Sequence, residues 1–154
     1  MEGLHLTRHD GNPHRFVLVH GSMDREGGFF RLLKFLRPHG EIITYDRRGY
    51  AKSLLAPGDR NVATHVRDLR DIIGSEPTIV IGHSLGGALA LAVASSGASN
   101  IRGVVAYEPP MSWEPWWTGR TVDDTKRSTS SSADAAEAFM RRFVGDDRWA
   151  RLPD

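Results

Sequence analysis

The chain has 154 residues, of which 40% are hydrophobic and 25% charged, with a formal net charge of +1 and no cysteine. These values describe an ordinary globular chain of single-domain length and exclude a strongly basic nucleic-acid surface, a disulfide framework and thiolate metal sites. No apolar run reaches the ~20 residues of a bilayer-spanning helix, and Met1–Leu6 lacks the basic-then-apolar layout of a secretory signal. A soluble, cytoplasmic protein with no membrane or nucleic-acid partner is therefore expected.

Taken in order, Leu4–Arg8 alternates weakly and runs into the turn formers Asp10-Gly11-Asn12-Pro13, which predicts an edge strand and a turn. Arg15–His20 is a continuous apolar run, the signature of a strand buried on both faces, and it stops at Gly21-Ser22. Phe29, Phe30, Leu32, Leu33, Phe35 and Leu36 have helical spacing and end before Pro38 and Gly40. Glu41–Asp46 is the next buried strand, followed by the polar loop Arg47–Ser53. After Pro57-Gly58, Asn61 is placed to cap a helix with Val62, Val66, Leu69, Ile72 and Ile73 along one side and Arg67, Asp68, Arg70 and Asp71 along the other. His65 of that helix is expected on its solvated surface. Pro77–His83 then reads as a buried strand, a tight turn follows at Ser84, and the next helix is rich in Ala88, Ala90, Ala92 and Ala94 and so should be buried over most of its surface. Gly97 and Asn100 close it. Ile101–Tyr107 forms a further strand that leaves through Glu108-Pro109-Pro110.

This alternation of strand and helix predicts an α/β fold, a mostly parallel sheet with helices on both faces and right-handed crossovers. Ligands in such sheets bind beyond the carboxyl ends of the strands, where the loops after His20, Asp46, His83 and Tyr107 all lie. Beyond Pro110 the composition changes. Trp113, Trp116 and Trp117 come close together, Arg120–Ser132 is polar, and Ser128–Ser132 reads as a flexible connector. Ser132 or Asp134 can cap a helix through Ala135, Ala138, Phe139, Arg142 and Phe143 that is interrupted at Gly145. The expected division is residues 1–110 as the core and 111–154 as a second, helical region.

Gly82-His83-Ser84-Leu85-Gly86 carries the chemistry. Small residues around a serine between a strand and a helix let a strained backbone project the hydroxyl into an open site. As an acyl-transfer nucleophile, Ser84 needs oxyanion donors, a base and a group to orient that base. The N–H of Leu85 opens the following helix and gains from its dipole; the second donor is expected from Ser22, with Met23 as the alternative. Gly21 allows the backbone to approach the substrate closely.

The chain resembles the N-terminal part of an α/β-hydrolase-fold protein. The resemblance rests on His20-Gly21-Ser22 after a buried strand, on Asp46-Arg47-Arg48-Gly49-Tyr50-Ala51-Lys52-Ser53, on Gly82-His83-Ser84-Leu85-Gly86-Gly87, and on Tyr107-Glu108-Pro109-Pro110, in the family's order. It covers roughly residues 4 to 110, the remainder resembling the start of a helical cap, and it is nearest to the serine esterase, lactonase and non-haem haloperoxidase-like branch. It implies hydrolysis of a carboxylic ester or lactone through an acyl-enzyme on Ser84, with no cofactor and no metal. It also implies an oxyanion hole at Leu85 and Ser22, substrate contacts from Gly21, Met23 and Trp113, and an architectural rather than chemical role for Asp46.

The departure from the family is the base. In its order of serine, acid, histidine, a histidine should follow Ser84, yet His83 is the last of seven. A chain truncated after the start of the cap, weakly active or inactive as it stands, is the expectation. His83 should leave its strand on the face away from Ser84, and His20 is expected to order its loop by hydrogen bonding. His39, like His65, should be solvated, and His5, His9 and His14 fall in the weakly patterned N-terminal region. Glu108 is the candidate acid, against a bland role as a strand-end carboxylate. The alternative function is a non-catalytic binding or assembly protein on the same fold, including a homo-oligomer through the exposed edge strand 101–107, which would leave backbone groups unpaired.

Overall fold

Alternate residues of the central strand fill two separate cores. Strand β2 (His14–Val19) sends Val17 and Val19 to one side and Phe16 and Leu18 to the other. That is possible only for a strand covered on both faces, as its unbroken apolar run requires. The computed structural model describes residues 2–117 and 131–152. The chain divides into two compact units, Met1–Pro110 and Met111–Asp154.

In the first unit, β1 (Leu6–His9), β2, β3 (Gly40–Tyr45), β4 (Thr78–His83) and β5 (Ile101–Tyr107) form one sheet in the order β1-β3-β2-β4-β5. The edge strand β1 is antiparallel to β3, and the other pairings are parallel. Leu18 stands opposite Thr44 on one side and Ile81 on the other. The first strand begins two residues later than its alternation suggests, and the turn after it contains a cis Asn12–Pro13 peptide.

Three helices cover the sheet. Helix α1 (Phe30–Leu36) closes one face through Leu32, Leu33 and Leu36 against Phe16, Leu18, Phe29 and Ile42. The aromatic-rich start of that apolar run is a separate 3₁₀ turn, Glu26–Phe29. Helices α2 (Val62–Ile73) and α3 (Leu85–Ser95) close the opposite face through Leu69, Ile72, Ile73, Leu89, Ala90 and Val93. Asn61 caps α2 as its sequence position requires, its Oδ1 accepting the Thr64 N–H at 2.9 Å. No residue of α3 from Leu85 to Ala94 is exposed, in keeping with its alanine-rich sequence.

Two readings of α2 need correction. Val62 is largely exposed, and His65 is buried rather than solvated. Asp68, on the charged side, is buried as well, because Arg48 reaches it with Nη2 at 2.8 Å and Nε at 3.0 Å. An ion pair, not solvent, accommodates that carboxylate.

In the second unit, α4 (Ser132–Val144) is followed after Gly145 by the short α5 (Asp146–Trp149). The cap of α4 is Ser131 rather than Ser132 or Asp134: its Oγ accepts the Asp134 N–H at 3.1 Å. The expected connector over 128–132 lies mostly outside the described residues, as does the polar stretch from Arg120. Among the described residues no helix is long and apolar enough to cross a membrane.

Candidate active site

From β2 the chain moves outward to β3, then returns across the sheet to β4 on the other side of β2. The loops after β2 and β4 therefore diverge at a topological switch point, where an open parallel sheet leaves a crevice beyond its carboxyl edge. Gly21 belongs to the first of these loops and Ser84 to the second.

Ser84 joins β4 to α3 with φ 52° and ψ −123°, a left-handed backbone that costs a residue with a side chain about 1–2 kcal/mol. Its N–H is held by the Tyr107 carbonyl at 2.9 Å, and its own carbonyl accepts the N–H of Gly87 at 2.8 Å and of Ala88 at 3.2 Å. Strand and helix thus hold the strained residue from both ends, while its hydroxyl makes no capping bond to α3. The glycines make room for this turn. A Cβ on Gly82 would fall on the Gly86 carbonyl, and one on Gly86 would fall on the Val19 carbonyl.

A Cβ on Gly21 would lie 3.0 Å from the Ser84 Cβ, so the loop after β2 lies against the serine with nothing between them. Ser22 follows, and Met23 is left-handed at φ 58°. Leu85 is the first residue of α3, an 11-residue helix whose free N–H groups open on the same edge. The structure brings Ser84, Leu85, Gly21, Ser22 and Met23 into one neighbourhood. Glu108 stands just past β5 on that edge, exposed and left-handed at φ 48°. Trp113 belongs to the second unit and is mostly exposed; Trp116 and Trp117 meet edge to face with centroids 6.3 Å apart.

Each histidine has a distinct setting. The buried ring of His20 accepts the Arg47 backbone N–H at Nε2 (2.9 Å), so Nδ1 carries the proton and donates to the Gly21 carbonyl at 2.8 Å. Burial first, then the Arg47 charge, push its pKa down to about 4. Both nitrogens are committed to ordering the loop, as expected from the sequence, and neither is free to take a proton from Ser84. His65 is pushed down to about 4 by the same two causes in the same order. The His83 ring lies against Tyr107, with centroids 5.5 Å apart, and its Nδ1 flanks Gly21. His39 is exposed.

His5, by contrast, is part of a clip. Its Nε2 lies 2.9 Å from Glu26 Oε1 and 3.1 Å from Lys52 Nζ, while Thr44 Oγ1 donates to Glu26 Oε2 at 3.0 Å. Burial alone would raise the Glu26 carboxyl, but hydrogen bonds from Thr7, Thr44 and His5 outweigh it and hold the pKa below its usual value. Asp46 completes the tie: Oδ1 accepts the Glu26 N–H at 2.9 Å and Oδ2 the Lys52 N–H at 3.1 Å.

Arg47, to which no local pattern assigns a role, has the most unusual setting of all. It is the largest fully buried side chain among the described residues, with Nε donating to the His20 carbonyl at 3.0 Å and Nη2 to the Gly21 carbonyl at 2.9 Å. Its guanidinium lies 4.3 Å from the centre of the Tyr50 ring. Nothing in the Arg47-Arg48 dipeptide marks one arginine for burial among carbonyls and the other for a carboxylate. Among the described residues no group of three or more His, Asp or Glu side chains converges as metal ligands.

The sequence model of the alpha/beta hydrolase family matches residues 16–154. Lipase LipV of Mycobacterium tuberculosis (strain ATCC 25618 / H37Rv) is 29% identical over an alignment of 151 residues that covers 96% of this chain and 56% of that lipase. An alpha/beta hydrolase of Sphaerobacter thermophilus DSM 20745 superimposes with a TM-score of 0.69 at 29% identity, over 96% of this chain and 60% of that one. The monoacylglycerol lipase of Paleococcus ferrophilus gives 0.63 at 29% identity, over 82% and 51% respectively. The chain thus spans little more than half the length of the relatives it matches.

Proposed function

The chain belongs to the alpha/beta hydrolase family, and we propose that it is built for acyl transfer, hydrolysing a carboxylic ester or lactone through an acyl-enzyme on Ser84. The observation that carries this reading is the left-handed Ser84 at the strand-to-helix turn with the Gly21 loop directly against it. On this reading a nucleophile and two sources of backbone donors, the Leu85 N–H from α3 and the Ser22 or Met23 N–H from the loop after β2, serve one point. The lipases and hydrolase among its relatives agree with the reaction class.

Ser84 Oγ adds to the substrate carbonyl carbon, the carbonyl oxygen becomes an oxyanion between the two sets of N–H groups, and collapse expels the alcohol. Water then repeats the addition on the acyl-serine. In each half, a proton must leave the attacking oxygen. Among the described residues His20 is occupied on both sides and does not take that proton; on our reading it passes to solvent and both steps are slow. Donors and binding alone leave ~10³–10⁴-fold acceleration over water in serine hydrolases stripped of triad members.

We expect weak p-nitrophenyl acetate turnover by the chain, at about that level, and its disappearance in Ser84→Ala. Equal rates in the two proteins would remove Ser84 from the chemistry. Triad-level rates lost in Ser84→Ala would show that a base is in place after all.

A second reading, a binding or assembly protein on this fold, is favoured by one observation. Strand β5 pairs with β4 alone among the described strands and leaves its other edge open.

A further inference from the structure

We propose that Arg47 is the positioning residue of the oxyanion loop, holding the His20 and Gly21 carbonyls so that the Ser22 N–H is presented to the oxyanion. The inference rests on the reading of Ser84 as the nucleophile.

Strand order supplies the geometry. The sheet runs β3-β2-β4, so Arg47, just past β3, and Ser84, just past β4, flank the loop after β2 from opposite sides. Arg47 draws the Gly21 carbonyl toward the β3 side through Nη2 at 2.9 Å, and the His20 ring adds a second donor to the same oxygen at 2.8 Å. A planar trans peptide sets its N–H opposite its C=O. With the Gly21 carbonyl fixed on the β3 side, the Ser22 N–H is turned toward the β4 side, where Ser84 stands. The preceding peptide is held in the same way, its His20 carbonyl accepting from Arg47 Nε at 3.0 Å.

The charge on Arg47 has the Tyr50 ring beside it but, among the described residues, no countercharge. Among the described residues no carboxylate pairs with it, the neighbouring Asp68 being taken by Arg48. A buried cation without a carboxylate is costly, and stitching two loops together needs only neutral donors. A cation on the carbonyl end of a peptide polarises it and makes its N–H a stronger donor, because hydrogen bonds in series reinforce one another in a low dielectric. Tyr50, whose ring the guanidinium overlies, holds the charge in place.

The test has two readouts. In the free protein, the Ser22 amide should give a single sharp NMR resonance at a fixed shift, which moves and broadens in Arg47→Met. Phenylboronic acid, whose boron accepts the Ser84 oxygen as the hydroxyl proton goes to solvent, carries its negative oxygen where the oxyanion forms. Its affinity should fall roughly ten- to a hundred-fold in Arg47→Met, with Arg47→Lys between the two. Arg47→Lys also serves if Arg47→Met does not fold, since it keeps the charge and loses the fork. A Ser22 amide and a boronate affinity that both survive these substitutions would overturn the proposal, as would a loss of stability with neither readout changed. If boronate binds wild type and Ser84→Ala equally, the nucleophile reading fails, and the Ser22 amide still decides whether Arg47 sets the loop.

Discussion

At the scale of single residues, three of the four left-handed non-glycine residues among those described, Met23, Ser84 and Glu108, follow β2, β4 and β5 at the carboxyl edge of the sheet. Backbone strain of this kind persists only where surrounding contacts enforce it, and it gathers at functional sites. Around Ser84 the enforcement is steric, which makes it testable. Gly86→Ala should cost about 3 kcal/mol or more, because the new methyl has only the backbone of Val19 and His20 to displace. Gly103→Ala, in β5 with open space around it and no positive φ, should be neutral or stabilising by up to about 1 kcal/mol. Urea denaturation of both variants beside wild type makes the comparison, and similar losses in the two would refute the steric account. The same close contacts explain why the elbow was legible in the sequence: a turn this tight admits only small residues at 82, 86 and 87, and that requirement is local. Arg47 was not legible, because its burial depends on two carbonyls 26 and 27 residues away.

At the scale of elements, the periodicity of α2 extends to a histidine. His65 stands four residues before Leu69 and eight before Ile73, on the stripe that faces the sheet, so its burial was available from spacing alone. Its chemistry as a histidine outweighed its position. Burial has a consequence for stability. His20 and His65 have folded pKa values near 4, against 6.5 in an unfolded chain. Between those values the unfolded chain binds protons that the fold excludes, so their stabilising contribution is complete above pH 6.5 and is lost as the pH falls toward 4. Each contributes a slope of about 1.4 kcal/mol per pH unit inside that window. The lowered carboxyl of Glu26 acts in the same direction, losing its contribution as the pH falls through the carboxylate range. Unfolding free energies measured from pH 7.5 to 4.5 should be flat down to 6.5 and steep below, with about half of that slope removed in His65→Gln. A flat profile in wild type would contradict the buried, neutral state of both rings.

At the scale of the whole molecule, the sheet formed by the described strands has one managed edge and one open edge. Strand β1 closes the side beyond β3 with a short antiparallel strand, and its Arg8 pairs with Glu41 at 3.2 Å. A short, charged edge of that kind discourages association. The side chains of β5 make the opposite edge: Val105 is 51% exposed and Tyr107 60%, while its unused backbone groups have no partner strand among those described. This much followed from the order of elements in the sequence. What covers that edge in solution did not, because pairing across it involves residues that no local pattern names. An open strand with apolar side chains pairs with a copy of itself unless something else occupies it. The chain should therefore associate as its concentration rises, and light scattering coupled to size exclusion should give a mass that grows between micromolar and submillimolar loading. Val105→Lys places a charge on the exposed row without touching the covered one, and should return the protein to a monomer with its circular dichroism unchanged. A wild-type chain that stays monomeric over the whole range would show this edge to be protected, and would count against the assembly reading in favour of the catalytic one.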